Sequence, residues 1–294
     1  MSRKYKLGVF DLFTYGLLAV FCFSILLPFW DMLLLSVSDP KKTASLTLRL
    51  WPQTLSFDAY EFAFSNNRIP MAYLVTFYRA ICGTALTVFL VTIAAYPLSK
   101  RDLPFRNYWT SFFLIPMFFG GGMIPTYLII RKLGLIDNLL VYILPGAVGV
   151  FYVLLVRNFL MSMEKEIEDA AFIDGAGYIR ILFYITMPLS KPILATIALL
   201  SIVGHWNAWF DALIYIRSDN NLTLQAILQQ LLSQASSTIP TDTLNFNTMH
   251  PDKYVTGKSF QAALTMITIG PIVLVYPFFQ KYFVKGIMIG SLKG

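Results

Sequence analysis

The chain has 294 residues, of which 56% are hydrophobic and 13% charged, with a mean hydropathy of +0.62. A soluble domain carries about 25% charged residues, so these figures exclude an ordinary soluble globular protein and point to the membrane. The net charge of +7 comes from cations spaced thinly between apolar runs, and membrane topology accounts for them better than nucleic acid does.

A spanning helix needs about 20 apolar residues, and six apolar segments meet that need. The first, 12–35, follows Arg3, Lys4 and Lys6. It is too long for a signal peptide and lacks a small-x-small cleavage site, so it reads as a retained span. A polar stretch, 36–71, holds Asp39-Pro40 and Trp51-Pro52. The second span, 72–98, carries Arg79 and ends at Pro97. Cys82 lies in it and Cys22 in the first span; two cysteines in apolar runs read as small core residues, not as a disulfide framework or metal site. The third span, 108–130, is interrupted by Pro116, Gly120-Gly121-Gly122 and Pro125, and the fourth, 138–160, by Pro145. Breaks of this kind persist in lipid only where protein or a cavity satisfies the freed backbone. The fifth and sixth spans are 188–216 and 260–283. Between them lies a polar stretch, 217–259, in which Gln225, Gln229, Gln230 and Gln234 alternate with leucines as an amphipathic helix, followed by a flexible loop, 235–259. Gly257-Lys258-Ser259 is no phosphate loop, because Asp252 stands where such a loop has its first glycine; it is assigned to loop.

Placing the N-terminus inside puts the larger set of cations on the shorter loops, as the positive-inside rule asks. Both termini and residues 157–187 are then cytoplasmic, and 36–71 and 217–259 face outward. The cytoplasmic loop has its own chemistry. Ile167, Ala170 and Ala171 fall at i, i+3 and i+4 on one helical face, while Glu164, Lys165 and Glu168 lie elsewhere on the surface. Gly175 permits a turn. A second helical run sets Ile179, Leu182, Phe183 and Thr186 on one side, Pro188 opens the fifth span, and Pro192 follows one turn on. This is a rigid, small-faced knob on a short arm, suited to docking in a partner's cleft.

The stretch Asp169-Ala170-Ala171-x-x-Asp174-Gly175-Ala176, with Pro188 and Pro192, resembles the EAA loop of ABC importer permeases, whose pattern is EAAxxDGA followed by two prolines at these distances. Asp169 fills the usual Glu slot and keeps the charge on a shorter arm; Leu182 fills a slot that is often Phe. "HWNAWFDALIY" (205–215) and "KYFVKGIMIGSLKG" (281–294) are similar to sugar permeases of the maltose-importer type, and "GGMIPTYLIIRKLGLIDN" (121–138) to permeases for complex oligosaccharides and polysaccharide fragments. The resemblance covers nearly the whole chain. It implies an all-α polytopic membrane protein with six transmembrane helices in the type I ABC importer permease fold. It implies no enzyme activity and no cofactor in this chain, ATP and magnesium being bound by a partner ATPase. The implied partners are a second permease subunit (as a heterodimer), two ATP-binding subunits, an extracytoplasmic sugar-binding protein and membrane lipid, with no nucleic acid. The implied place is the bacterial cytoplasmic membrane. Glu168, Asp169, Ala170, Ala171, Asp174 and Gly175 would couple to the ATPase, and the tail from Gly290 to Gly294 would touch it too. The implied cargo is an oligosaccharide, with longer or acidic (uronate) oligomers as the family shade.

Polar groups inside a membrane are costly and so mark function by default. His205, Trp206, Asn207, Trp209 and Asp211 offer aromatic faces and hydrogen-bonding tips suited to a sugar. The same residue types also mark interfaces and join helices, so lining of a pathway and structural packing both stand. Three readings of Arg79 stand as well: pairing within the bundle, snorkelling, and attraction of an anionic sugar. The rival functions are an ion-coupled transporter or channel, which would need an inverted repeat or a midplane ion site, and a membrane enzyme, which would need convergent carboxylates.

Overall fold

The computed structural model of the protein describes residues 8–43, 51–52, 54–65, 68–234 and 241–291. Helix dominates them, and the one bridge between extended segments joins Ser38 and Leu55. In chain order the helices are α1 (Val9–Ser36), α2 (Pro40–Thr43), α3 (Asp58–Ser65), α4 (Arg68–Ser99), α5 (Arg106–Phe118), α6 (Met123–Lys132), α7 (Val150–Met161), α8 (Lys165–Ile173), α9 (Tyr178–Ile181), α10 (Met187–Leu189), α11 (Lys191–Asn207), α12 (Phe210–Tyr215), α13 (Leu224–Gln234), α14 (Thr241–Met249) and α15 (Gly257–Ser291). A 3-10 turn at Leu139–Tyr142 precedes α7, and a π-helical stretch, Leu182–Thr186, joins α9 to α10.

Among the described residues, Val9–Ser36, Arg68–Ser99 and Gly257–Leu274 are each long and apolar enough to cross a membrane. Two bent pairs raise that number to five: α5 with α6, bent by 111° at the triple glycine, and Tyr178–Leu189 with α11, bent by 79°. The segment 138–160 differs from a single helix. Its first part is the 3-10 turn, and α7 begins only after Pro145, Gly146 and Gly149.

The chain divides into two compact units. The first draws on Met1–Asn67 and Gln230–Gly270. Its α1 buries only Leu34 and Ser36 and presents apolar side chains all round, the mark of a helix solvated by lipid. Phe62 of α3 packs against Phe246 of α14 and Phe260 of α15, at ring distances of 5.1 and 4.8 Å. The Asn247 side chain exchanges two 2.8 Å hydrogen bonds with the Val255 backbone, and Lys253 pairs with Glu61. The flexible loop expected over 235–259 is therefore corrected over its described part. Residues 241–249 form α14, and Asn247 within it closes the following turn on the backbone. Residues 235–240 lie outside the described set. The loop assignment of Gly257-Lys258-Ser259 is corrected too. These residues form the first turn of α15, where the Ser259 amide donates to Thr256 Oγ1 (3.2 Å) and the Thr256 amide to Ser259 Oγ (3.0 Å), a reciprocal cap.

The second unit draws on Arg68–Gln229 and Pro271–Gly294 and is built around α4. Buried residues recur along α4 every three or four positions, from Ile69 to Ser99, so one face is inside along its whole length. That face packs on α7 and α11. Val91, Ala95, Tyr96 and Leu98 meet Val153, Val156 and Leu160 of α7 and Ile197 of α11. Gly83 lets α11 come close, since a Cβ there would sit 2.6 Å from His205 Nε2. Cys82, on the opposite face, is exposed, as is Cys22 on α1. The expected core placement of both cysteines is corrected: apolar spans carry an outward face that is as greasy as the inner one.

A clasp closes one end of this unit. The Asp137 amide donates to the Tyr215 carbonyl at 2.8 Å. Asp137 Oδ1 accepts from the amides of Arg217 and Ser218 at 3.1 and 3.0 Å, and Oδ2 accepts from Ser218 Oγ at 2.5 Å. The Ser218 hydroxyl first, and then the two amides, hold the Asp137 carboxyl down at about 2, from an ordinary 3.8. Because the folded value is depressed, the clasp's contribution is whole above the ordinary aspartate range and lost as pH falls through about 2. Amide exchange at Arg217 and Ser218 should therefore stay slow through the ordinary aspartate range and rise only as pH falls to about 2, whereas Asp137→Asn should raise it at neutral pH. Exchange that rises in step with an unperturbed aspartate would disprove the clasp.

Candidate functional site

Two polar sites sit on α4, and both belong to the second unit. The first is the loop 165–190. Helix α8 ends in a left-handed turn at Gly175, φ +81°. The Gly175 amide donates to the Phe172 carbonyl and the Ala176 amide to the Ala171 carbonyl, both at 3.0 Å, the paired closure of a Schellman motif. This is why glycine stands there: a side chain at positive φ costs about 1–2 kcal/mol. The turn throws the chain into α9 and the π-helical stretch, whose wider spiral changes which side chains face inward. Ile181, Leu182 and Thr186 are buried, while Ile179 is 75% exposed and Phe183 is exposed as well. The single face of Ile179, Leu182, Phe183 and Thr186, expected from α-helical spacing, is thus split. The chain then turns at Ser190 into α11, with Pro192 in its first turn, where no backbone donor is needed.

The six expected coupling residues fall into two groups. Asp169, Ala170, Asp174 and Gly175 are exposed. Ala171 is buried in the cluster with Val91, Ala95 and Tyr96 of α4. Glu168, expected on the surface, is instead turned inward: its carboxylate pairs with Lys100 at the end of α4 and accepts a long bond from Thr186 Oγ1 (3.4 Å). Lys100 Nζ also lies 4.1 Å from the centre of the Tyr96 ring. Lys100 was missed in the sequence because only the three-dimensional approach of α8 to α4 gives it a partner.

The second site lies at the break between α11 and α12. The helix stops at Asn207 and restarts at Phe210, so the residues His205 to Asp211 are not on one helix. Arg79 is 3% exposed. Its Nη1 donates to the Ala208 carbonyl and to Asp211 Oδ1, both at 3.0 Å, and its Nη2 to Asp211 Oδ2 at 2.5 Å. The guanidinium lies 4.8 Å from the Tyr142 ring centre. Of the three readings of Arg79, pairing within the bundle is the one found. Trp206 is buried and packs edge-on to Phe77 at 5.3 Å. His205 is half-buried against Gly83, Asn207 is exposed, and Trp209 and Asp211 are half-buried. The break thus brings together Asp211, Arg79 and Tyr142, and leaves Asn207 exposed and Trp209 half-buried. Among the described residues, no group of three His, Cys, Asp or Glu side chains could hold a metal. The tail from Gly290 to Gly294 lies outside the residues whose side chains are described.

A bundle of broken apolar helices with a rigid helix-turn-helix in one loop defines a membrane transport component. The chain belongs to the family of binding-protein-dependent transport system inner membrane components, whose pattern matches residues 9–289. It is 36% identical to the polygalacturonan/rhamnogalacturonan transport system permease protein YtcP of Bacillus subtilis, over 98% of this chain and 100% of that one. It is 28% identical to the arabinooligosaccharides transport system permease protein AraQ of Halalkalibacterium halodurans, over the full length of both. Among solved structures, a chain of a bacterial ABC transporter involved in import of the acidic polysaccharide alginate superposes with a TM-score of 0.87, at 28% identity, over 96% of this chain and 99% of that one. The protein is therefore an ABC transporter permease, a multi-pass component of the inner membrane that works with a binding protein, and not an enzyme. Membership displaces the ion-coupled transporter, channel and enzyme readings.

Both charge pairs are testable. Arg79→Met leaves Asp211 without its partner and the Ala208 carbonyl without a donor, and should cost about 3–5 kcal/mol. An unchanged melting temperature of the purified chain would refute the pairing. For Lys100 and Glu168, a double-mutant cycle with Lys100→Met and Glu168→Gln should return a coupling of about 0.5–3 kcal/mol; two effects that simply add would mean that the pair is idle.

Proposed function

We propose that this permease forms half of the pathway of an ATP-driven importer for oligosaccharides derived from acidic polysaccharides. One observation carries the coupling part. The loop 165–190 has its inner side built into α4 through Ala171 and Glu168, while its outer side offers Asp169, Ala170, Asp174 and Gly175 beside exposed Ile173 and Ile179. Exposed apolar side chains on a stiff polar knob are costly in water and suit a partner's cleft. That partner is an ATP-binding subunit, one for each such loop, which supplies ATP and magnesium. A second permease subunit completes the pathway, and an extracytoplasmic binding protein delivers the sugar. The six spans run about 12–35, 72–98, 108–130, 138–160, 188–216 and 260–283. The N- and C-termini and the loop 157–187 are cytoplasmic, and 217–259 is outside, as the distribution of cations favours.

On the pathway side, Asn207 and Trp209 contact the sugar, and Asp211 and His205 shape the wall. Trp206 packs the bundle instead. Arg79 is not the cation that meets a uronate, because Asp211 already occupies both of its Nη groups. The acidic cargo is supported by the names of the polygalacturonan/rhamnogalacturonan relative and the alginate transporter.

The reading predicts that affinity purification of the tagged chain recovers a second permease, an ATPase and a binding protein, and that this binding protein binds uronate oligomers in preference to neutral ones. In the reconstituted importer, Gly175→Leu should reduce uptake by at least about tenfold, through a strained turn at positive φ, while the pathway residues stay untouched. Undiminished uptake would sink the coupling role. A binding protein indifferent to uronates would sink the cargo but not the coupling.

A further inference from the structure

The end of α4 and the start of α5 carry a charge arrangement that the transport reading does not use. Arg106, the first residue of α5, donates Nε–H to the Leu98 carbonyl at 3.3 Å, and Arg157 of α7 donates its own Nε–H to that same oxygen at 3.0 Å. Two guanidiniums thus converge on one acceptor. Neither takes part in an ion pair among the described residues. What remains of their donor sets meets only neutral atoms: Arg106 Nη2 faces Met161 Sδ at 3.1 Å, and Arg157 Nη1 faces Asn158 Oδ1 at 3.4 Å. Both side chains are half-buried, so water screens their mutual repulsion incompletely. Three other cations in this unit do pair with acids: Arg79 with Asp211, Lys100 with Glu168, and Arg68 with Asp219.

We propose that Arg106 and Arg157 form a binding site for the headgroup of an anionic phospholipid. A phosphodiester offers two charged oxygens to two forked guanidiniums. A zwitterionic lipid would bring its ammonium into the same positive field. The acyl part has a place as well. α5 buries none of its residues. Trp109 and Phe112, one and two turns beyond Arg106, are 51% and 64% exposed and stand edge to face at 6.4 Å. The site is therefore a paired charge at the foot of an exposed aromatic wall, which fits a lipid better than a free inorganic anion. Basic pockets between spans at a membrane surface bind anionic headgroups by this chemistry. The inference needs only that α4 ends and α5 begins at a membrane surface, and it stands whether or not the cargo is a uronate.

The test uses the full purified chain, offered equal phosphatidylglycerol and phosphatidylcholine in detergent and examined by native mass spectrometry. Phosphatidylglycerol should be retained selectively, and the double variant Arg106→Gln with Arg157→Gln should reduce its retention by about tenfold. Arg101→Gln, at an exposed neighbouring cation, should leave it unchanged. If the double variant does not yield a folded chain, Arg106→Gln alone, which leaves Arg157 on Leu98, gives the reading. Equal retention of the two lipids, or of phosphatidylglycerol by variant and parent, overturns the site. Displacement of the lipid by millimolar inorganic phosphate overturns it in favour of a soluble anion.

Discussion

A helix broken inside a membrane leaves carbonyls that water cannot reach, and each needs a donor from the protein. In this permease the donor is Arg79. Its guanidinium holds the Ala208 carbonyl at the point where α11 stops, and holds both oxygens of Asp211 where α12 has begun. The charge that caps the break is itself neutralised by the segment that follows it. Without Asp211, Arg79 would be a bare cation in a buried place; without Arg79, the break would expose a carbonyl and a carboxylate together. The three groups are stable only as a set, and that set fixes where Asn207 and Trp209 stand.

The same helix carries the other polar contact. α4 has 32 residues and so runs about 48 Å, with Arg79 and Lys100 about 32 Å apart along it. One end of that interval ties the break between α11 and α12 to α4; the other ties α8 to α4. A rigid α-helix packed on α7 and α11 transmits displacement along its axis better than the flexible connections beside it. On the proposed coupling, the loop 165–190 has two connections to the break: the covalent one through α9, α10 and α11, and a second through the Lys100–Glu168 pair and α4. Both meet at the break, where α11 ends and Arg79 holds the next segment.

Much of this was readable in the sequence, for definite reasons. The membrane character follows from composition, and the loop from fixed spacings of small residues, Asp174, Gly175 and two prolines. Arg79 could be singled out as the cation within an apolar run, but its partner sits 132 positions away and could not be named. The inward turn of Glu168 had no local signature, since nothing in 164–168 distinguishes one acid from its neighbours. The split face of α9 and the stretch after it failed for another reason. A spacing rule assumes 3.6 residues per turn, and a π-helical insertion breaks that rule without leaving a mark in composition. α14 was hidden because Ser, Thr, Asn and Gln suggest loop by propensity, whereas here Asn247 spends its amide on the backbone of the following turn.

The division of the proposed coupling residues into an exposed and a rooted group has a mechanical logic. A docking surface that was free on all sides would follow its partner without moving anything else. One that was buried on all sides could not be grasped. In α8, neighbouring residues take opposite parts: Glu168 and Ala171 are fixed to α4, and Asp169 and Ala170 are presented outward. The Schellman turn at Gly175, with Phe172 packed edge-on to Tyr178 at 4.9 Å, makes the two halves of the loop one stiff piece. On the proposed coupling, such a piece would carry force from the loop 165–190 into α11.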